Sequence, residues 1–190
     1  MTNKLNLGCG QFPKAGYLNL DVSPFAKVDV VHDLDQFPYP FEDNTFELIE
    51  ADHLLEHLND PLRVMAELSR IVKPGGLLHI RVPHFSRGFT HPEHKRGFDV
   101  TFPYYFVPQF SGGYTGTPFL LQKMKLHWFA QPHLMRKLLP PWLYYLLTGI
   151  GAIVDWFANL APLFCSRVWC FWVGGFYEIE FVFQKPLEPQ

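Results

Sequence analysis

The sequence predicts an α/β protein built on a mostly parallel, twisted sheet. Three observations lead to this fold class: short apolar runs separated by turn residues, one well-delimited amphipathic helix, and an alternating strand pattern near the carboxyl end. At 190 residues, the chain suffices for one domain with a substantial core. We therefore expect a single domain, 1–190, with a core (1–98), an apolar insertion (99–176) and a closing strand (177–185).

The first half of the chain carries the clearest local signals. Its apolar runs predict five strands, at residues 4–7, 17–20, 28–31, 46–51 and 77–82. A helix is expected over residues 61–72, because Asp60 suits the N-cap and Pro61 the first helical position. Gly75 and Gly76 follow Pro74 and end that helix. Strands alternating with a helix in this way favour βαβ units and a parallel sheet.

The second half is more aromatic and more apolar. Alternation predicts strands at residues 119–126 and 177–183, and the intervening segment, 134–176, is expected to form two or three helices. Residues 142–160 are long enough to raise the question of a membrane span. Asp155 near their middle argues against one, because a charge at bilayer depth costs about 3 kcal/mol. We expect a helical lid over the substrate site.

The net charge and the cysteines indicate which partners and which cellular compartment to expect. The formal net charge is -2 and the isoelectric point is near 6.5, so no basic surface for nucleic acid is expected. Cys9, Cys165 and Cys170 form no CxxC pair, which favours free thiols in a reducing compartment. An apolar strand pattern opens the chain in place of a secretory signal. We expect a cytoplasmic protein, with membrane association as a further alternative.

A glycine turn follows the first strand and predicts a ligand site. Gly8 and Gly10 let a ligand approach the backbone at the carboxyl end of a parallel strand. Pro13 stands where dinucleotide-binding loops carry a third glycine, and proline offers no N–H to a pyrophosphate. The loop therefore favours a phosphate-free adenosine ligand, S-adenosylmethionine. Asp21, at the end of the second strand, has a carboxylate suited to both ribose hydroxyls.

Four segments in order resemble one known family. The segments LNLGCG, NLDV, DLDQFPYPFEDNTFELIEADHLLEHL and RIVKPGGLLHIRVPH are similar to the class I S-adenosylmethionine-dependent methyltransferases, particularly the small type 11 methyltransferase-domain group. The resemblance covers about residues 4–84 and continues weakly to Phe98. It implies a Rossmann-like fold with an antiparallel last strand and S-adenosylmethionine as cofactor. Asp21 follows Gly10 too closely for a full helix, so the first helix is expected to be missing or reduced.

The resemblance also implies a set of cofactor-binding positions. The glycine turn would lie against the methionine moiety and ribose, Asp33 and Leu34 would border the adenine, and Asp52 and His53 would flank the methionine end. The full expected set is Leu7, Gly8, Cys9, Gly10, Asp21, Val22, Asp33, Leu34, Asp52 and His53.

Catalytic candidates come from the loop after the fifth strand. Its residues 91–98 resemble a DPTHxRxF stretch of some small methyltransferases, with His91 in place of the aspartate and His94 retained. His94 is the first candidate for a general base and His84 the second. The alternative is that His94 only braces the loop. His84, His91, Glu93 and His94 could also form a metal site, but histidines in such loops are common without a metal, and no metal is expected.

The adjacent residues Glu56 and His57 offer a second acid and base pair. On a helix, neighbouring residues point about 100° apart, so both would not reach one atom. We interpret this pair as structural.

The expected reaction is O- or N-methylation of a small-molecule or lipid-linked acceptor. The aromatic second half could wall an apolar pocket, contact a membrane peripherally or form a homodimer. Two alternatives remain: a non-catalytic S-adenosylmethionine-binding partner subunit, and an NAD(P)-dependent oxidoreductase. Pro13 and the short distance to Asp21 weaken the second.

Overall fold

The structure, a computed structural model, describes residues 2–23, 28–88 and 91–187. The strands in these residues are β1 (Lys4–Leu7), β2 (Leu18–Asp21), β3 (Val30–Val31), β4 (Phe46–Asp52), β5 (Val72–Pro83), β6 (Leu120–His127) and β7 (Glu178–Gln184). The α-helices are α1 (Pro61–Ile71), α2 (Pro132–Leu138), α3 (Pro141–Ala158) and α4 (Pro162–Arg167). Short 3-10 helices lie at Phe102–Phe106 and Trp169–Phe171.

All seven of these strands belong to one sheet, in the order β3-β2-β1-β4-β5-β7-β6. Strands β1 to β5 run parallel, and β7 lies antiparallel between β5 and β6. The chain order reverses between β1 and β4, which is where open α/β sheets place their ligands. The mostly parallel sheet with an antiparallel last strand is thus confirmed, and both strands expected from the second half join it.

Helix α1 covers one face of the sheet, as its sequence pattern predicts. The Asp60 side chain accepts a hydrogen bond from the Arg63 backbone N–H (3.0 Å), and Pro61 stands where no N–H is needed. The buried apolar side chains of α1 pack into one cluster with a row of side chains that crosses four strands. That row is Leu5, Ile49, Leu78 and Phe183. We call this side of the sheet the core face.

The opposite side, here the polar face, carries paired polar and charged residues. Neighbours across the strands are Asp52 with Arg81, Arg81 with Glu180, and Glu180 with Lys125. A parallel sheet is usually buried on both faces, with helices covering each. Here residues 8–17, between β1 and β2, form only turns, so the expected loss of the first helix is confirmed. The polar face stays accessible beside this connection.

Several element boundaries differ from the sequence expectation for local reasons. Strand β3 begins at Val30, not at residue 28, because the Asp29 carboxylate occupies the Asn19 backbone N–H (2.7 Å). Strand β5 begins at Val72, which pairs with Phe46 ahead of a register shift. Glu56 and His57, considered above as helical neighbours, lie in a turn instead. The remaining boundaries agree to within two residues.

Helices α2 to α4 form the insertion and flank β6. The α3 side chains Trp142, Leu146, Ile150, Ile153 and Phe157 recur at helical spacing and are all exposed. We call them the apolar stripe. Asp155, the sole charged residue of α3, turns the other way and accepts hydrogen bonds from His127 Nδ1–H and the Trp128 backbone N–H. None of the helices in the described ranges combines the length and apolar character needed to cross a bilayer.

Candidate active site

A cavity of about 960 Å³ opens where the glycine turn meets the polar face. Its floor comes from β1, β4, β5, β6 and β7, and its walls from residues 11–14 and 129–134. Of the expected cofactor residues, Gly8, Cys9, Asp52 and His53 line it. These residues come from two strand ends that the sequence could not place beside each other, and the parallel β1 and β4 pairing brings them together.

The glycine turn has the geometry that the sequence requires of it. Gly8 and Gly10 both have positive φ angles, 61° and 49°. A Cβ on Gly8 would lie 2.7 Å from Leu54 Cδ1, whereas a Cβ on Gly10 would meet nothing within 4 Å. Gly8 is therefore a packing requirement, and Gly10 leaves open space that a ligand can fill against the backbone.

Asp21 holds this turn from the end of β2. Its Oδ2 accepts a hydrogen bond from the Gly10 backbone N–H (2.8 Å), and its Oδ1 accepts one from Ser23 N–H (2.9 Å). A carboxylate has further lone pairs on each oxygen, so these two bonds do not exhaust Asp21 as an acceptor. Asp21 is therefore placed beside the glycine turn, although it does not line the large cavity.

The residues expected around the ribose and adenine also lie outside that cavity. Val22 is exposed, and Leu34 is buried in the core. Asp33 is exposed and caps the turn that follows, accepting a hydrogen bond from Asp35 N–H (3.0 Å). Leu7 is a buried core residue at the end of β1. Their contacts with a cofactor remain predictions.

Asp52 is held between two cations at the cavity. Its Oδ1 lies 2.9 Å from Arg81 Nη1 and its Oδ2 lies 2.9 Å from Lys14 Nζ. Burial alone would raise the pKa of Asp52, but the Lys14 hydrogen bond and the Arg81 charge outweigh it and lower the pKa. Asp52 is thus an anion at neutral pH, with fixed acceptor oxygens at the methionine end of the expected cofactor position.

His53 is a cation wedged between two carboxylates. Its Nε2 lies 2.6 Å from Glu178 Oε2, and its Nδ1 lies 3.3 Å from Glu56 Oε1. Burial would lower the pKa of His53, but the hydrogen bond to Glu178 and the charge of Glu56 raise it to about 9. At neutral pH His53 is therefore a proton donor facing the cavity and is not available as a base.

Glu180 forms ion pairs with several basic residues of the polar face. It accepts from His79 Nε2–H (2.7 Å) and pairs with Lys123 Nζ (2.6 Å) and Arg81 Nη2 (3.5 Å). Burial opposes ionisation, but the Lys123 and His79 hydrogen bonds lower the pKa of Glu180 to about 2. This carboxylate stays charged over the whole physiological range and fixes the cavity floor.

His127 lines the same cavity with an orienting carboxylate behind it. Its Nδ1–H donates to Asp155 Oδ2 (2.9 Å), while Nε2 lies 4.0 Å from Glu180 Oε2. Because the carboxylate fixes the Nδ1–H tautomer, the lone pair of the neutral ring is on Nε2. Of the cavity-lining histidines in the described residues, His127 is the one whose contacts suit proton acceptance.

The two histidines expected as bases lie elsewhere. His84 is fully buried, with its ring nitrogens 2.7 Å from the Ser86 and Ser166 hydroxyls, and burial lowers its pKa to about 4. His94 donates from Nδ1–H to the Gly88 carbonyl (2.5 Å). Neither lines the large cavity, so an opening of the surrounding loop would be needed for either to reach an acceptor there.

Several polar residues that line the cavity were not identified from the sequence, among them Lys14, Arg81, His127, Glu178 and Glu180. A signal was present, because polar residues alternate with apolar ones in β5 and β7. That alternation predicts a polar face of the sheet, but it does not predict that this face forms the floor of a cavity. The antiparallel register of β5 and β7, which the sequence does not reveal, brings Arg81 to Glu180.

Comparison with known proteins connects this geometry to a family. Residues 5–80 match the family model described as a methyltransferase domain. A demethylmenaquinone methyltransferase of Bacillus pumilus is 32% identical over 76 residues, which is 40% of this chain and 29% of that protein. The matched segments cover 14% to 29% of the length of the curated relatives.

Solved structures share the fold over nearly the whole chain. A SAM-dependent methyltransferase from Archaeoglobus fulgidus has a TM-score of 0.56 and 14% identity, covering 96% of this chain and 85% of that one. The cyclase SpnF has a TM-score of 0.56 and 15% identity, covering 97% and 74%. Because a cyclase shares this fold, the fold alone does not decide the reaction.

The charge state of His53 gives a direct test of the cavity electrostatics. By NMR titration of the ring protons, His53 should titrate near pH 9, and Glu178→Gln should shift its pKa towards the ordinary 6.5. Since the folded pKa exceeds the unfolded one, the stabilisation is complete below about pH 6.5 and is lost as the pH rises through 9.

Glu180→Gln is the matched control, because Glu180 lies two residues along the same strand and contacts His79 instead of His53. The control should leave the His53 titration in place. An His53 pKa near 6.5 in the unaltered protein would contradict this account of the cavity.

Proposed function

We propose that this protein binds S-adenosylmethionine and transfers its methyl group to an acceptor, since residues 5–80 match the methyltransferase-domain family model. One observation carries the proposal. The Gly8 to Gly10 turn, which is hydrogen-bonded to Asp21, lies where the chain order of the sheet reverses between β1 and β4, the usual ligand position in open α/β sheets. The open space at Gly10 gives room for a ligand against the backbone.

The residues present fit the parts of this cofactor. Asp21 would hold the ribose hydroxyls, and Asp33 with Leu34 would border the adenine. Lys14 and Arg81 suit a carboxylate and Asp52 suits an ammonium group, which are the charges of an amino acid. When bound, the cofactor supplies an activated methyl group on a sulfonium centre.

The chain's own contribution to transfer is placement, charge and proton acceptance. Holding an acceptor in line with a methyl group supplies much of the rate. His53, as a donor paired with Glu178, would orient a polar group of the acceptor. For O- or N-methylation, where the acceptor loses a proton, His127 Nε2 is the proposed base and Asp155 its orienting partner.

The acceptor we propose is apolar or lipid-linked. A second cavity of about 390 Å³ lies between β6 and α3 and shares Lys125 and His127 with the large one. Trp156 and Leu160 also line it, so it leads from the charged floor towards α3. A molecule with a polar reactive end and an apolar tail matches this arrangement.

A membrane surface is the proposed partner of the apolar stripe. The stripe exposes large apolar side chains with no charge among them, and Arg136 and Lys137 of α2 are exposed beside its start. Tryptophan with basic neighbours is typical of helices that lie in the interface of anionic bilayers. A homodimer through the same stripe is the competing outcome.

Cofactor binding is tested by calorimetry with S-adenosylhomocysteine. Asp21→Asn should weaken binding about ten- to a hundredfold, because hydrogen bonds to a charged group are worth about 1.5–3 kcal/mol. Asp43→Asn is the control, since Asp43 pairs with Arg70 and is 70% exposed at its side chain. Equal affinities of the two variants, or no binding by the original protein, would overturn the cofactor assignment.

The base is tested by the transfer of labelled methyl groups to a long-chain alkyl catechol, an apolar hydroxyl acceptor. His127→Gln should lower the turnover about a hundredfold or more, while the affinity for S-adenosylhomocysteine stays the same. His79→Gln is the control, because His79 shares the polar face and lies outside the cavity. A turnover unaffected by His127→Gln would remove this role.

Membrane contact is tested by sedimentation with phosphatidylcholine and phosphatidylglycerol vesicles. Ile153→Glu should reduce the bound fraction at least fivefold, because it places a charge in the stripe. Leu187→Glu is the control, since Leu187 is 80% exposed beside Gly75, away from α3. A stable dimer that ignores vesicles and is broken by Ile153→Glu would establish a homodimer instead.

A further inference from the structure

Outside the cavity, the carboxylate of Glu56 is buried without a hydrogen bond. The residue has no exposed surface, and neither carboxylate oxygen accepts a hydrogen bond from the described residues. His53 Nδ1 and His94 Nε2 approach Oε1 to 3.3 Å and 3.8 Å at ion-pair range. Burying a carboxylate with unfilled lone pairs is costly, so such a group points to a ligand that completes it.

Two histidines lie beside this carboxylate with matching tautomers. His94 Nδ1–H donates to the Gly88 carbonyl (2.5 Å), and His57 Nδ1–H donates to the Glu93 carbonyl (3.3 Å). A carbonyl only accepts, so in the neutral rings both Nε2 atoms carry lone pairs. Metal-binding histidines characteristically fix their orientation in this way, through a backbone carbonyl on the other nitrogen.

We infer that Glu56, His57 and His94 bind a divalent transition-metal ion of the zinc class. One candidate ligand atom from each residue lies within 4.8 Å of the other two. In tetrahedral zinc with bonds near 2.1 Å, the ligand atoms are roughly 3.4 Å apart. Side-chain movements of about 1 Å would therefore complete the geometry. Two imidazoles and one carboxylate leave a fourth position for water.

Hydrogen bonds to backbone carbonyls already hold the contributing segments together. The Lys95 backbone N–H donates to the Glu56 carbonyl (2.9 Å), and Arg96 donates to the Asn59 carbonyl (2.9 Å). A metal ion there would tie the loop after β5 to the turn after β4, beside the cavity residue His53. None of the three ligands lines the large cavity, so this site is separate from the proposed methyl-transfer site.

His91 lies beside the proposed ligands but is not one of them. Its ring stacks on that of His94 with centroids 5.0 Å apart, but its Nδ1 accepts a hydrogen bond from Glu93 N–H (3.3 Å). The Nε2 of neutral His91 therefore carries the proton and has no lone pair for a metal. His91 belongs to the cluster but not to the ligand set.

The experiment is zinc titration of chelator-treated protein, followed by calorimetry. The full chain should bind one Zn²⁺ with a Kd below about 1 μM, and Glu56→Gln or His94→Gln should weaken binding about a hundredfold. His91→Gln should change the Kd less than threefold. Failure to bind one equivalent, or equal affinity in all three variants, would overturn the site.

NMR of the unaltered protein gives a second readout that does not depend on the variants folding. Zn²⁺ should shift the ring resonances of His57 and His94 more than those of His32, His79 and His127. Shifts confined to the latter histidines would identify adventitious binding and refute the site. S-adenosylhomocysteine affinity should be retained in the metal-free protein, so failure of the metal site is distinguishable from failure of the cofactor site.

Discussion

The alternation of apolar and polar side chains along the central strands organises the whole molecule. Leu5, Ile49, Leu78 and Phe183 form a row on the core face, while the next row holds Asn6, Glu50 and His79 on the polar face. One face packs against α1 and excludes water. Because the usual first helix is missing, the other face has to satisfy its charges by pairing them across strands, and that pairing builds the floor of the cavity.

This constraint explains which parts of the structure the sequence could reveal. The Asp60 cap, the glycine turn and the strand ends at Leu7 and Asp21 depend on short-range geometry, so local patterns predict them. The partners of Asp52 could not be read in this way. Arg81 reaches it through strand register, and Lys14 reaches it because the missing helix leaves only a short connection.

The roles of the histidines could not be predicted from the sequence either. By residue type alone, His53, His84, His94 and His127 are equivalent titratable groups, and the ranking of His94 and His84 as bases rests on the family resemblance of their loop. The fold places His53 between carboxylates, which raises its pKa, and buries His84 between hydroxyls, where desolvation lowers its pKa. Their roles are therefore set by neighbours distant in sequence, such as Glu178, and residue type alone could not have ranked them.

The strongest part of the family resemblance and the most unusual part of the chain lie in different halves. Residues 5–80 match the methyltransferase domain, whereas His127, Asp155 and the apolar stripe lie beyond them. The family match therefore bears on the glycine turn and Asp21, whereas the proposal for the acceptor rests on the second half of the chain. There, α3 turns its one charge towards β6 and its apolar side chains outward. That division brings a charged cavity and an uncovered apolar helix side by side, the combination that an acceptor with one polar end requires.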